Sequence, residues 1–270
     1  MRRKSDAQLR QAIADLGETG LDVAYETLLG AAKAAQHARR FNVAAADQPR
    51  KEVPGRCRDV PLRRIGMSII VLDADLRVTW AWNGFDHLDV SRPPVLGEIV
   101  QPSSTGPTTA VPRLPAVDWL HINAVSWSPA DGNLVLWVRH QDWVIKVDYR
   151  NGAGDGHVVW RLGQGGDFTL NSADPSAWFS HQHNAHFIDD TTMVLLDNGN
   201  TRRATDPAAT SRGQVWTLDE TNMTATPVLN ADLGSYAGAV GSAQRLSNGN
   251  YHFNLGINGP EPPRPPISSK

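Results

Sequence analysis

The chain has 270 residues, nine of them tryptophan, and a formal net charge of −2. This length allows one large domain or two small ones, and the near-neutral charge argues against nucleic acid or an anionic membrane as partner. No apolar run approaches the ~18 residues that span a bilayer, and the single cysteine, Cys57, excludes an intrachain disulfide.

Residues 1–60 differ from the rest of the chain and predict a helical N-terminal segment followed by a linker. Leu9, Ile13 and Leu16 recur at helical spacing, and a second helix is expected over residues 21–39. The stretch NVAAADQPRKEVPGRCRDVP that follows is typical of a linker.

From about residue 65 the sequence alternates short strands with turns. The segment GMSIIVLDADLRVTWAW predicts a strand, a turn at Asp73–Asp75 and a second strand with alternating apolar residues. The same pattern returns in DWVIKVDYRNGAGDGHVVWRLG and in GQVWTLDETNMTATPVLN.

A second kind of hairpin lies between the first. Its three copies are HINAVSWSPADGNLVLWV, HQHNAHFIDDTTMVLLDN and VGSAQRLSNGNYHFNLG, which align on Ala124, Ala185 and Ala243 at spacings of 61 and 58 residues. In each copy a strand is followed by an Asp- or Asn-containing turn and another strand.

Two hairpins that recur every ~60 to 75 residues predict an all-β protein, a β-propeller of large four-stranded blades. A β-sandwich with long loops is the alternative, and the matched turn positions favour the propeller. Residues 61–258 hold about three blades, fewer than the four or more of a closed propeller. Residues 259–270 form a Pro-rich tail.

The segment FSHQHNAHFIDD places His181, His183 and His186 close together before a predicted strand. Residues two apart on a strand share a side, so His181 and His183 are expected on one side and His186 on the other. If the first strand of each unit is innermost, His121 lies near the same axis.

A metal site is one interpretation of these histidines. His-x-His is a common zinc pairing, and His121 or Asp197 could supply a third ligand. No cysteine or His-Glu cluster supports it in the sequence, so no metal ligand and no cofactor are assigned.

Several of these segments resemble the bacterial arylsulfotransferase family, over about residues 67–256. They are WAWNGFDHLDV, DWLHINAVSWSPADGNLVLWVRHQDWVIKVDY, RLGQGGDF, HQHNAHF and LLDNGNTRR. The resemblance implies a six-bladed propeller that moves sulfate from an aryl ester to a phenol without a nucleotide donor, through a sulfated histidine. It also implies a periplasmic or secreted protein, although the first residues show no signal peptide.

The resemblance carries site residues onto this chain. His121 and His183 match pore histidines, His183 is expected to act as acid and base, and Arg202 is expected to hold the sulfate oxygens. His181 is expected at the rim. The substrate-binding residues that it implies are Arg139, Arg203 and Asn184.

The chain departs from the family at the nucleophile. The segment INGPEPP, where the resemblance places the sulfated histidine, contains none, and His252 lies inside the preceding strand. Either the nucleophile lies outside this sequence, or the chain is inactive, or another histidine substitutes. The competing interpretation is a non-catalytic propeller that binds a ligand or partner. For His87, a structural turn and a pore-rim position both remain open.

Overall fold

The computed structural model describes residues 42–47, 52–57, 60–100 and 115–258. This part is mostly β-strand, with two short α-helices, α1 (Gly84–His87) and α2 (Asn200–Thr205), and 3₁₀ turns at Arg139–Gln141 and Arg150–Gly152. The strands are β1 (Asn42–Asp47), β2 (Glu52–Cys57), β3 (Val60–Ile65), β4 (Met67–Leu72), β5 (Val78–Asn83), β6 (Ile99–Val100), β7 (Ala116–Asp118), β8 (Ile122–Trp127), β9 (Leu134–Val138), β10 (Trp143–Val147), β11 (Val158–Leu162), β12 (Thr169–Leu170), β13 (His183–Phe187), β14 (Thr192–Asp197), β15 (Arg212–Asp219), β16 (Thr224–Asp232), β17 (Ala237–Arg245) and β18 (Tyr251–Asn258). The all-β prediction is confirmed.

The strands of the described ranges form five sheets. Two contain four-stranded antiparallel meanders, β8-β9-β10-β11 and β13-β14-β15-β16, and β12 joins the second by pairing parallel to β16. The others have the orders β1-β4-β5, β2-β3-β7-β6 and β17-β18, and β3 pairs parallel to β7.

All six predicted hairpins are present: β4/β5, β8/β9, β10/β11, β13/β14, β15/β16 and β17/β18. Their turns form because Asp and Asn side chains accept hydrogen bonds from backbone N–H groups two or three residues on. Asp131 accepts from Asn133, and Asp189 accepts from Thr191 and Thr192.

The prediction of a linker before residue 60 is wrong at Asn42–Asp47 and Glu52–Cys57, which form strands. Asn42–Asp47 pairs antiparallel with β4, and Glu52–Cys57 pairs with β3. The Ala-rich sequence of β1 has little β-propensity. Its strand conformation therefore depends on pairing with the edge of β4. The helices predicted over residues 1–39 lie outside the described residues.

The sheets stack face to face, and alternation along central strands sends side chains into two different cores. On β9, Leu134 and Leu136 pack toward β4 and β5, while Val135 and Trp137 pack toward β14 and β15. The residues of β14 alternate in the same way between that second core and a third one shared with β17 and β18. The central strands β9, β10 and β14 are therefore buried on both faces, which explains their near-continuous apolar sequences.

The first strands of the successive units lie side by side, since β13 contacts both β8 and β17. Across the first pair, Asn123 Nδ2 donates to the Gln182 carbonyl at 2.8 Å. This arrangement brings the residues that precede β8 and β13 together. No helix in the described ranges has the length and apolar character to cross a membrane.

Candidate active site

Three imidazoles form a row where β8, β9 and β13 meet. The ring centroids of His121 and His140 are 4.5 Å apart, and those of His140 and His181 are 5.6 Å apart. His121 lies directly before β8 and His181 two residues before β13, both with left-handed backbone angles, φ 50° and φ 53°. His140 lies in the 3₁₀ turn after β9. The backbone N–H of His140 donates to the Leu120 carbonyl, which holds this turn in place.

His121 is the exposed member of the row. Its Nδ1 lies 2.7 Å from Oδ2 of Asp118, and 45% of its side chain is exposed. A carboxylate only accepts, so neutral His121 carries its proton on Nδ1 and leaves a lone pair on Nε2. Within the described residues Nε2 has no hydrogen-bond partner, and it can therefore reach a ligand.

His140 is buried and neutral. Its Nδ1 donates to the Asp118 carbonyl at 2.7 Å, and its Nε2 accepts from Nη1 of Arg139. Burial lowers the pKa of His140 to about 4, although the nearby Asp118 carboxylate acts in the opposite direction. His140 directly follows Arg139 in the chain, and no pattern in the sequence indicated a role for it.

His181 is also buried, with 1% of the residue exposed, so the prediction of a rim position is wrong. Its Nε2 contacts Oε1 of Glu98, and its Nδ1 lies 2.8 Å from Oδ1 of Asp142. Burial alone would lower the pKa of His181, but the hydrogen bonds to Asp142 and Glu98 outweigh it and the net shift is upward.

Arg139 places a fixed positive charge in the cluster. Its Nη1 contacts His140, its Nη2 donates to the Gly238 carbonyl at 3.0 Å, and its Nε has no partner among the described residues. Burial lowers the pKa of Arg139, with acidic neighbours opposing, yet a guanidinium stays charged in proteins. An anion at the row would therefore meet a desolvated cation with an unsatisfied donor.

His183 lies in β13 with both ring nitrogens engaged. Its Nδ1 is 2.7 Å from Oδ1 of Asn198, whose amide nitrogen donates to the Ala237 carbonyl at 2.6 Å. Its Nε2 accepts the Val240 N–H at 3.2 Å. These contacts define the Nδ1–H tautomer, and burial lowers the pKa of His183. The ring thus joins β13 to the segment around β17.

The two arginines of α2 have other partners. Nη1 of Arg202 lies 2.6 Å from Oδ2 of buried Asp197, and its Nη2 donates to the Thr210 carbonyl at 3.2 Å. Arg203 donates to the Ala209 carbonyl at 2.9 Å. Among the described contacts none joins Arg202 to His121 or His183, so their predicted convergence on one anion stays a prediction.

The remaining candidates lie outside the row. Asn184 accepts the Ala243 N–H through Oδ1 at 2.9 Å, and His186 Nδ1 is 3.4 Å from the Asn184 carbonyl. A bulge between His183 and His186 interrupts the alternation used to separate them. His87 stacks on Trp82 at 5.5 Å between ring centroids, which favours the structural turn.

Four contributors to the cluster were missed from sequence: Glu98, Asp118, His140 and Asp142. Asp118 left a local signal, because it precedes its partner His121 by three residues. Glu98 and Asp142 left none, because their shared partner His181 is 83 and 39 positions away.

The stacked sheets bring histidines and a buried arginine to one place, a combination suited to binding an anion. Comparison with known families identifies the class of protein. The model of the Arylsulfotransferase (ASST) family matches residues 52–267, so the chain belongs to this family. The match begins inside the predicted linker and ends inside the predicted Pro-rich tail. No curated protein matches the chain.

Proposed function

We propose that this protein transfers a sulfuryl group from an aryl sulfate ester to a phenol, and that His121 carries the group between them. Family membership supports chemistry on aryl sulfates. The observation that carries the assignment is the pair of Asp118 and His121, which presents an exposed Nε2 lone pair on a ring held by a carboxylate.

The pair suits a two-step transfer. In the first step the Nε2 lone pair attacks sulfur, the N–S bond forms, the S–O bond to the aryl group breaks and the phenolate leaves. The ring becomes a sulfo-imidazolium whose Nδ1–H still donates to Asp118, and the carboxylate stabilises the positive charge. In the second step the acceptor phenolate attacks sulfur and the N–S bond breaks, which returns neutral His121.

Arg139 is the arginine best supported as the ligand of the sulfate oxygens. It contacts His140, the immediate neighbour of His121 in the row, and its Nε lacks a partner among the described residues. Arg202, by contrast, is paired with a buried carboxylate at 2.6 Å, which cancels much of the field that an anion would meet. Fixed cations of this kind stabilise charge that develops on the transferred group.

Proton transfer is the less well supported step. The leaving phenolate gains a proton and the acceptor phenol loses one, so the net reaction moves one proton between two phenols. His183 can serve both steps only after its Nε2 releases the Val240 N–H. This contact favours the alternative function, a non-catalytic propeller that binds an anionic or aromatic ligand at the same histidine row.

For the architecture, we infer that the stacked sheets are consecutive propeller blades. The two four-stranded antiparallel meanders have the strand order of a large blade. Their first strands, together with β17, adjoin one another as the inner strands around an axis do. The last hairpin supplies two further strands of such a unit.

The proposal is tested by incubating the protein with a chromogenic aryl sulfate and a phenol acceptor. Phenol-dependent release of the chromophore is expected, and His121→Ala should abolish it. His157→Ala is the matched control, because His157 is exposed and also has its Nδ1 2.7 Å from a carboxylate, that of Asp155. A folded sample with no phenol-dependent release would favour the binding alternative.

A further inference from the structure

Both buried histidines of the row hold Nδ1 close to an oxygen atom, as histidines that bind a metal often do. His140 donates Nδ1–H to the Asp118 carbonyl at 2.7 Å, and Nδ1 of His181 lies 2.8 Å from the Asp142 carboxylate. Histidines that bind a metal through one nitrogen usually donate the other N–H to a carbonyl or a carboxylate, which fixes the ring. In both residues this leaves Nε2 for a second partner.

We propose that Glu98, His140 and His181 bind a divalent transition-metal ion of the zinc class. One ligand atom from each residue lies within 4.8 Å of the others. Four-coordinate zinc with bonds of about 2.0–2.1 Å holds its ligand atoms about 3.3 Å apart, so the three groups need to approach by at most about 1.5 Å. Two imidazoles and one carboxylate also leave a fourth position open for water or an anion.

The charges of the cluster favour a cation. The imidazole row is contacted by one guanidinium, that of Arg139, and by three carboxylates, those of Glu98, Asp118 and Asp142. Once His181 gives up the proton that its Nε2 shares with Glu98, three negative charges and one positive charge leave a formal −2, and such a buried excess is costly. A divalent ion that takes the place of this proton balances the excess.

Arg139 gives the site a distinctive property. Its Nη1 contacts Nε2 of His140, the nitrogen that would bind the metal, so the guanidinium and the ion compete for one lone pair. Replacing Arg139 by a neutral residue removes both the competitor and a nearby positive charge. Metal affinity should then rise by about 10-fold, because like charges repel at close range in a partly buried site.

The site differs from the zinc pair that the His-x-His spacing suggests. His181 takes part, whereas His183 is not one of the three residues whose ligand atoms lie within 4.8 Å of one another. Asp148, Asp155 and His157 form another group of possible ligands, in which Asp155 and His157 are exposed, and this group provides an internal control. The metal site lies beside the proposed sulfuryl-transfer site and shares Arg139 with it, but its test measures metal binding and not activity.

The test is zinc binding by the full-length protein, measured by calorimetry and by metal content after gel filtration. One equivalent is expected in the wild type and in His157→Ala. Stoichiometric binding should be lost in His140→Ala and Glu98→Gln, and Asp142→Asn should weaken it by about 10–100-fold. Arg139→Gln should tighten it. Circular dichroism without metal checks that each variant is folded.

A second readout keeps the result clear if His140→Ala fails to fold. Zinc should raise the melting temperature of the wild type and of His157→Ala but not that of Glu98→Gln, because only a ligand of the folded state shifts unfolding. Absence of stoichiometric zinc in the folded wild type would overturn the proposal. Equal binding by Glu98→Gln, or loss of binding in His157→Ala, would do the same.

Discussion

The Asp118 side chain lies 2.7 Å from Nδ1 of His121, while the Asp118 carbonyl accepts Nδ1–H of His140 at the same distance. One residue thus fixes two neighbouring imidazoles through two different groups. Only the His121 contact depends on the carboxylate, so the two functions can be separated by mutation.

Asp118→Asn should reduce sulfuryl transfer by about 10²–10⁴-fold. An asparagine amide can donate to Nδ1, which places the ring proton on Nε2 and removes the nucleophilic lone pair. Steady-state rates with a chromogenic aryl sulfate measure the loss. Asp155→Asn alters the same kind of contact at exposed His157 and should leave the rate unchanged. Equal activity of Asp118→Asn and wild type would contradict the role given to the carboxylate.

His183→Ala should destabilise the fold by about 1–3 kcal/mol, because it removes the partner of Asn198 and of the Val240 N–H in a buried setting. Denaturation by urea gives the free energy of unfolding. His186→Ala should change the free energy of unfolding by less than about 0.5 kcal/mol, because the described hydrogen bond of the His186 ring is a long one, 3.4 Å to the Asn184 carbonyl. A His183→Ala protein of unchanged stability would show that the ring does not tie β13 to β17.

The hairpins could be predicted from sequence because each depends on local chemistry. In the Asp131 and Asp189 turns, the residues that hydrogen-bond lie within three positions of each other, and alternating apolar residues mark the strands on either side. The β1 strand could not be found, because its Ala-rich sequence acquires a strand conformation only beside β4. Local pattern therefore determined the hairpins and missed the pairing between distant segments.

The site was predictable only in part. His121 and Arg139 were identified through family resemblance, and the structure places both at the histidine row. His181 was expected at the rim because the family resemblance selected His183 as the pore residue, whereas the structure buries the His181 ring between Glu98 and Asp142. The contact with Glu98 depends on sheet stacking over 83 positions, which no local pattern records.

Trp137→Ala should cost about 3–5 kcal/mol of stability. Trp137 is fully buried on β9 and belongs to the core between the two four-stranded meanders, so its removal leaves a cavity there. The free energy of unfolding in urea checks the value. Val159→Ala, on the exposed side of β11, is the control and should have a small effect. A loss below about 1 kcal/mol for Trp137→Ala would contradict the stacking of these sheets.

Acid should weaken the ion pair between Lys146 and Asp131, which joins β10 to the turn between β8 and β9. This buried ammonium lies 2.9 Å from Oδ2 of Asp131 and 2.6 Å from Oε1 of Glu220. Burial raises the pKa of Asp131, but the hydrogen bond from Lys146 and other hydrogen bonds outweigh it, and the net shift is downward. Stability from this pair is therefore present above the unfolded pKa near 3.9 and is lost as pH falls through the lower folded value.

Lys146→Met removes that linkage. Its free energy of unfolding should fall less steeply than that of the wild type between about pH 5 and pH 2, because Asp131 no longer gains from a cation. Urea denaturation at several pH values gives the slope. Identical slopes for the two proteins would show that the ion pair contributes nothing to acid stability.

Mass spectrometry of the protein, quenched during turnover of an aryl sulfate without acceptor, shows directly whether Nε2 of His121 receives the sulfuryl group. An added mass of one SO₃ is expected on the peptide that contains His121, and it should disappear when a phenol is added. A group mapped to His183 or to another residue, or turnover by His121→Ala, would contradict the role proposed for His121.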